Sequence, residues 1–473
     1  MPIEIQKLQK ENKINVEFTK ETVANIRKLL IAMNKNNSIL IINDKCLIPE
    51  GWLEMFLNDQ KKYPNDAIIA SVQYYLGKNG EIKEFKEGFK GEKFGIFNHV
   101  TNIVFNFALI NIDLGGILYP KNFLENYSFY NEDSNNYDDF WQSAYIIMEN
   151  KILRQSSKIF DFTKYLIKDI NYEKYSMNQK KLLERSKLSF LKKFPNFIDT
   201  LKKRQRKIIV SITSYPERFN FLPDLMTFIR NQSFHMNKII IFLYKDDIEY
   251  YKQNISDVEI ILTDKDLKPH KKYFYPMKLF RDFAIITLDD DFYYSKDTFE
   301  SLFNAYIENP NIICGRRTHL MTYKKNGEVK GYFQWKLEQK LIKEPSFDLL
   351  TTGNGGIIYP PDILNIDDEF LPIINETLTC DDLTLKYFET IKSIPIKWVI
   401  NNKINGIFRN LSKINSSTLF SINKINNDIC INKLNIIINE TIIKNLCVPY
   451  RGIQTGISLY LFNKIIFITK ILL

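Results

Sequence analysis

The sequence predicts an α/β protein with a largely parallel sheet, on three observations. Between Lys207 and about Ile400, apolar runs of strand length alternate with stretches of helical period. The segment GGILYPKNFL at Gly115 returns as GGIIYPPDIL at Gly355. Each copy lies between an apolar run ending in polar or acidic residues and a later pair of aspartates. Three landmarks in one order predict a fold present twice, the first time incompletely.

Composition bounds this reading. At roughly 150 residues per domain, 473 residues suit two or three units. Hydrophobic residues at 45% and charged residues at 25% exclude global disorder, collagen and a polytopic membrane protein. The net charge of +10 suits a phosphate-bearing partner without naming one. The basic excess is spread along the chain with no recognition motif, so nucleic acid is not the expected partner. Five scattered cysteines without a CxxC pair, and a polar N-terminus lacking a signal-peptide core, predict a reducing, cytoplasmic setting. His99, His235, His270 and His319 are isolated, which suggests neither a zinc site nor a histidine relay. The final stretch, Ser458 to Leu473, is broken by Asn463, Lys464 and Lys470 and falls short of the ~20 residues that span a bilayer. It suits either peripheral contact with the inner face of a membrane or packing on the core.

The elements follow in order. In the first copy the apolar run Ser38 to Lys45 reads SILIINDK, and Asp138-Asp139 head an amphipathic stretch. Only some 37 residues precede Ser38, too few for an opening βαβ unit, so 1–160 reads as a truncated, degenerate domain. Residues 161–206, with basic clusters at Lys192-Lys193 and Lys202-Lys203-Arg204, read as a helical connector. Residues 207–405 form the complete domain, and 406–473 an Asn-, Ile- and Lys-rich extension. The spacings agree between copies: Gly355 follows Asp290 by 65 residues and Gly115 follows Asp44 by 71, while the acidic pairs follow those glycines by 26 and 23.

Chemistry concentrates in the second copy, where ligands are expected beyond the carboxyl ends of the strands. Ile208–Thr213 empties into Ser214-Tyr215-Pro216-Glu217-Arg218, which offers a ring for a base and a guanidinium for phosphate, or an ordinary proline turn. The strand Phe283 to Leu288 ends in Asp289-Asp290-Asp291. In extended chain Asp289 and Asp291 share a side and can face one cation, with Asp290 pointing elsewhere. Lys268-Pro269-His270-Lys271-Lys272-Tyr273 reads as a diphosphate grip or a basic surface loop. Thr352-Gly353-Asn354-Gly355-Gly356 allows close backbone approach but lacks the Walker lysine and the dinucleotide order. Asp381-Asp382 open a helix whose dipole favours carboxylates there, which fits both capping and general-base catalysis.

Taken together, SITSYPER at 211–218, PHKKYFYP at 269–276, IITLDDD at 285–291, TGNGGIIYP at 352–360 and TCDD at 379–382 resemble nucleotide-sugar glycosyltransferases of the GT-A type, particularly bacterial family-2-like enzymes of surface polysaccharide assembly. The resemblance covers about 200 residues. It implies that Asp289 and Asp291 match the pair that holds Mg²⁺ or Mn²⁺ against a donor diphosphate, and that Asp381 or Asp382 is the base of an inverting transfer. The second acid usually takes that role in the family, which favours Asp382. The resemblance also implies donor contacts from Ser214, Tyr215, Arg218, Lys271, Lys272 and Asp290, with Gly355 and Gly356 flooring the sugar site. The partners would be a nucleotide-sugar donor and a saccharide or lipid-linked acceptor.

In the first copy the acidic turn is Asn43-Asp44-Lys45, an amide and an ammonium where the second has carboxylates, which predicts that this half is inactive. A catalytically silent carbohydrate-binding or scaffold protein, and a sugar nucleotidyltransferase, are the alternatives.

Overall fold

The computed structural model describes residues 10–11, 37–42, 51–70, 72–84, 109–111, 116–127, 138–156, 172–252, 255–324, 329–392, 394–400 and 426–434. The Asn43-Asp44-Lys45 turn, Gly115, His99, Cys46, Cys447 and the stretch from Ser458 to Leu473 lie outside them.

The first half runs β1 (Ile39–Ile41), α1 (Trp52–Lys62), β2 (Ala67–Ile69), β3 (Val72–Leu76), β4 (Ile82–Glu84), β5 (Leu109–Asn111), β6 (Ile117–Tyr119), α2 (Asp138–Met148) and β7 (Leu153–Gln155). Its main sheet has the order β1-β6-β2-β7, with β6 antiparallel to both neighbours and β2 parallel to β7. Strands β1, β2 and β6 are unbroken Ile, Leu, Ala and Tyr, as strands covered on both faces require, while β7 carries the buried polar Arg154 and Gln155. The expected connector is helical from Tyr172, as α3 (Tyr172–Lys193) and α4 (Phe197–Gln205). It is more than a linker. Leu183, Phe190, Phe197 and Leu201 belong to the core of this half, where Phe140, Trp141, Phe190 and Phe197 meet edge to face at 5.0–5.9 Å.

The second half runs β8 (Ile208–Thr213), α5 (Leu222–Arg230), β9 (Lys238–Tyr244), β10 (Glu259–Thr263), α6 (Lys271–Leu279), β11 (Ala284–Leu288), α7 (Thr298–Glu308), β12 (Ile313–Gly315), β13 (Thr318–Leu320), β14 (Leu349–Thr351), β15 (Ile357–Tyr359), α8 (Leu371–Glu376), α9 (Asp381–Ile391) and β16 (Ile396–Trp398). Helix α10 spans 426–434. The seven-stranded sheet has the order β10-β9-β8-β11-β15-β12-β16, and β15 alone is reversed. Apolar clusters on the two faces bury it from both sides.

The two sheets share a plan. The order β1-β6-β2-β7 and its directions repeat as β11-β15-β12-β16. Even the register agrees, since Tyr119 sits opposite Ile39 and Tyr359 opposite Ile285. Each reversed strand is entered from a glycine with positive φ, Gly116 at 100° and Gly356 at 81°. At Gly116 an added Cβ would lie 2.6 Å from the Trp52 ring. Strands β8 to β10 and helix α6 have no counterpart among the described residues of the first half.

A buried ion network joins the halves. Arg154 contacts Asp66 through Nε at 2.8 Å and Asp362 through Nη1 at 2.7 Å, and Arg281 reaches Asp362 at 3.0 Å. Among the described residues no helix is long and apolar enough to cross a membrane.

Candidate active site

The site is built at the carboxyl ends of β8 and β11, which are parallel neighbours with Leu288 opposite Ile212. That pairing brings the Ser214–Arg218 turn against the acidic turn. Asp290 is buried, accepting from Ser214 Oγ at 2.6 Å and from Arg218 Nη1 at 2.7 Å. Arg218 Nη2 also reaches Asp291 at 3.1 Å. The shared side expected for Asp289 and Asp291 is not kept: Asp289 pairs with Lys272, while Asp291 joins Asp290 on Arg218. The strand ends at Leu288, so the two-residue alternation of extended chain no longer governs the residues that follow. Tyr215 is partly exposed, and the Arg218 guanidinium lies over its ring at 5.1 Å.

The PHKKY segment is not a surface loop. A 3₁₀ turn at Lys268–His270 leads into α6, and His270, Lys271 and Lys272 are all buried. Successive helical side chains diverge, so the two lysines part company. Lys271 Nζ binds Asp266 at 2.6 Å, while Lys272 Nζ lies 2.5 Å from Asp289 Oδ1 and 2.7 Å from Asp381 Oδ2. Of the pair, only Lys272 reaches the acidic site. His270 is a structural group: Nδ1 meets Tyr273 Oη at 2.6 Å, Nε2 meets the Thr377 carbonyl at 3.0 Å, and burial lowers its pKa to about 4, so the ring is neutral.

Asp381 and Asp382 stand at the first turn of α9 in different surroundings. Burial would raise the pKa of Asp381, but Lys272 more than offsets it and holds that carboxyl below the usual range. Asp382 accepts from the Gly353 amide at 3.0 Å, and burial together with the Asp381 charge pushes it well above the usual range. One acid of the pair is thus held ionised and the other takes up a proton readily.

The glycine turn separates two sides of this centre. A Cβ on Gly353 would stand 2.7 Å from Asp289 Oδ1 and 2.8 Å from Lys272 Nζ, while one on Gly355 would stand 2.6 Å from Arg317 Cβ. Gly355 therefore packs against Arg317, and the turn faces the acidic cluster through Gly353. Arg317 Nη1 donates to Thr352 Oγ1 at 2.9 Å and Asn354 Oδ1 at 3.2 Å, and its Nη2 pairs with Glu338 at 2.9 Å. Sequence reading missed Arg317; it follows Arg316 after β12 in no recognisable motif, and only the pairing of β13 with β14 brings it to the turn. Cys380 and Cys430, far apart in sequence, are free thiols buried in the same core.

Five carboxylates (Asp289, Asp290, Asp291, Asp381 and Asp382) thus gather around two cations, Lys272 and Arg218. The surplus is negative, and the donors are hard oxygens of the kind Mg²⁺ and Mn²⁺ accept. Asp289, with a quarter of its side chain exposed, is the open member. Among the described residues no three His, Cys, Asp or Glu side chains converge on one metal position.

No family model and no curated protein sequence matches the chain. Among solved structures it is similar to a 4-diphosphocytidyl-2C-methyl-D-erythritol synthase from Anaerococcus prevotii, at 12% identity and TM-score 0.28, covering 50% of this chain and 99% of that one. It is also similar to residues 1–349 of S. aureus TarS, at 17% identity and TM-score 0.26, covering 40% of this chain and 57% of that one. Likeness at that level carries no chemistry to this chain.

Proposed function

We propose that the protein is a glycosyltransferase of GT-A type that moves a sugar from a nucleotide donor to a saccharide or lipid-linked acceptor with inversion. The observation that carries this reading is the meeting of the acidic turn after β11, Lys272 of α6 and the acidic pair of α9 at the carboxyl end of a mostly parallel sheet. In this reading the acceptor hydroxyl oxygen attacks the anomeric carbon while the bond to the diphosphate oxygen breaks, its electron pair leaving with the nucleoside diphosphate. Asp382 takes the hydroxyl proton, for which its raised affinity and its anchorage on Gly353 suit it. Lys272 keeps Asp381 charged and in place, and Ser214 and Arg218 fix the acidic turn through Asp290. Asp289, a quarter exposed, would hold Mg²⁺ or Mn²⁺, with Asp291 joining it once Arg218 releases that carboxylate, and the ion when bound supplies neutralisation of the departing diphosphate.

The shared strand plan supports reading the first half as a partial copy of the second, and the Asn43-Asp44-Lys45 sequence supports reading that copy as inactive. Thermal unfolding of the full chain with nucleoside diphosphates tests the proposal. One nucleotide with Mn²⁺ should raise Tm by about 3 °C, and Mn²⁺ alone should not. The absence of a shift with every nucleotide tried, or a shift only with triphosphates and release of pyrophosphate, would overturn it.

A further inference from the structure

Both carboxylates offered to a divalent ion are already met by a cation of the chain. Lys272 Nζ lies 2.5 Å from Asp289 Oδ1, and Arg218 Nη2 lies 3.1 Å from Asp291 Oδ2. An ion that came alone to Asp291 would have to displace the guanidinium. That would leave a largely buried cation with one carboxylate fewer, and stripping a buried charge of a partner is strongly unfavourable. The pairing therefore opposes a bare ion.

The two cations are held differently. Lys272 stands on α6 with 5% of its side chain exposed, and its single ammonium bridges Asp289 and Asp381. Arg218 uses separate arms: Nη1 binds Asp290 at 2.7 Å and Nη2 binds Asp291. Asp290 has a second anchor in Ser214 Oγ at 2.6 Å. The backbone under Arg218 is fixed, since its amide donates to the Tyr215 carbonyl at 2.8 Å and Phe219 and Leu222 are packed in the core. Nη2 can thus leave Asp291 by rotation within the side chain, with Nη1 still on Asp290 and the turn unchanged. The guanidinium also lies 5.1 Å from the Tyr215 ring, which is 38% exposed and gives this end of the site a face to solvent.

A diphosphate alters the balance of charges. Its oxygens accept from a guanidinium fork as a carboxylate does. Arriving with a divalent ion, it offers Nη2 a new anion and Asp291 a new cation together, so each charge exchanges one partner for another and none is left bare.

We infer that Arg218 is a specificity-determining residue that reserves Asp291 for a metal ion already bound to diphosphate, holding the carboxylate until a phosphate oxygen takes over its Nη2. The inference rests on the glycosyl-transfer reading of this site and adds how the site refuses a free ion.

The test counts Mn²⁺ bound to the full chain by electron paramagnetic resonance without nucleotide, and measures binding of CDP, GDP and UDP in EDTA by equilibrium dialysis. Arg218→Gln should bind Mn²⁺ about tenfold more tightly than the wild type, and adding Asp291→Asn to it should abolish the gain. In EDTA the nucleotide that binds should do so about tenfold more weakly in Arg218→Gln, where phosphate finds no Nη2, and about threefold more tightly in Asp291→Asn, where Nη2 is free. Equal Mn²⁺ affinity in the wild type and Arg218→Gln, a gain that survives Asp291→Asn, or metal-free nucleotide binding unchanged in Arg218→Gln overturns the inference. Should Arg218→Gln fail to melt cooperatively, Asp291→Asn decides alone, and nucleotide binding in EDTA no tighter than that of the wild type overturns it. Any of these results in a protein that still binds a nucleotide with Mn²⁺ leaves the glycosyl-transfer reading standing. No nucleotide binding to any form, with Mn²⁺ or in EDTA, overturns that reading and the inference together.

Discussion

The two halves share four strands in one order, one register and one glycine-gated reversal, yet only the second has a described β8–β10 unit beside them. Asp381 at the head of α9 is met by Lys272, and Asp290 and Asp291 by Arg218. Both cations come from elements outside the shared plan: α6, between β10 and β11, and the turn after β8. Asp138 and Asp139 head α2 in the corresponding place, and no counterpart of the β8–β10 unit appears among the described residues of the first half. A common scaffold therefore supplies positions for carboxylates, and the added βαβ unit supplies the charges that make them a site. What the first half offers instead is support, since Arg154 and Tyr63 grip Asp362 and Asn365, just beyond β15 of the second half.

The contrast can be broken in three ways. The largest effect should separate the acidic pairs: Asp382→Asn should lower kcat for sugar transfer by about 10²–10⁴-fold, whereas Asp138→Asn with Asp139→Asn should leave turnover within about twofold. Comparable losses in both would show the first half to be catalytic. Next, Lys272→Met leaves Asp289 and Asp381 without their shared cation and should cost about 3–5 kcal/mol in urea unfolding. A loss below about 1 kcal/mol would mean that the contacts in the centre are dispensable. The smallest effect concerns pH. Burial lowers His270 from 6.5 to about 4, so between those values the unfolded chain takes up a proton that the folded state refuses. His270 alone should therefore contribute a loss of about 3 kcal/mol as pH drops through that window. His319, also lowered to about 4, contributes in the same direction and Glu389, raised to about 7 by burial, in the opposite one, so the difference between the wild-type and His270→Gln curves isolates the His270 share. A slope unchanged in that variant would place the acid sensitivity elsewhere.

Much of the fold was legible in the chain. β8, β9 and β11 read as apolar runs because strands covered on both faces can be nothing else, and α9 announced itself through acids at its first turn. The helical character of 172–205 was legible too, but its burial was not, since the Lys-rich face masks a stripe of Leu and Phe that only neighbouring α2 explains. The candidate site was legible as a set of types and less so as a geometry. Lys271 and Lys272 look equivalent in sequence and face different aspartates, and Asp291 leaves the side of Asp289 because the strand stops one residue before the turn begins.

The sequence by itself determined where carboxylates, glycines and strands fall, because hydrophobic period and turn chemistry act over a few residues. Only the tertiary structure decided which cation meets which carboxylate, that Arg317 braces the glycine turn, and that the extension reaches back to the Tyr332 amide through Asp428. Those contacts join segments far apart in the chain, and their energy depends on burial and distance, quantities that exist only after the sheet has set its strand order.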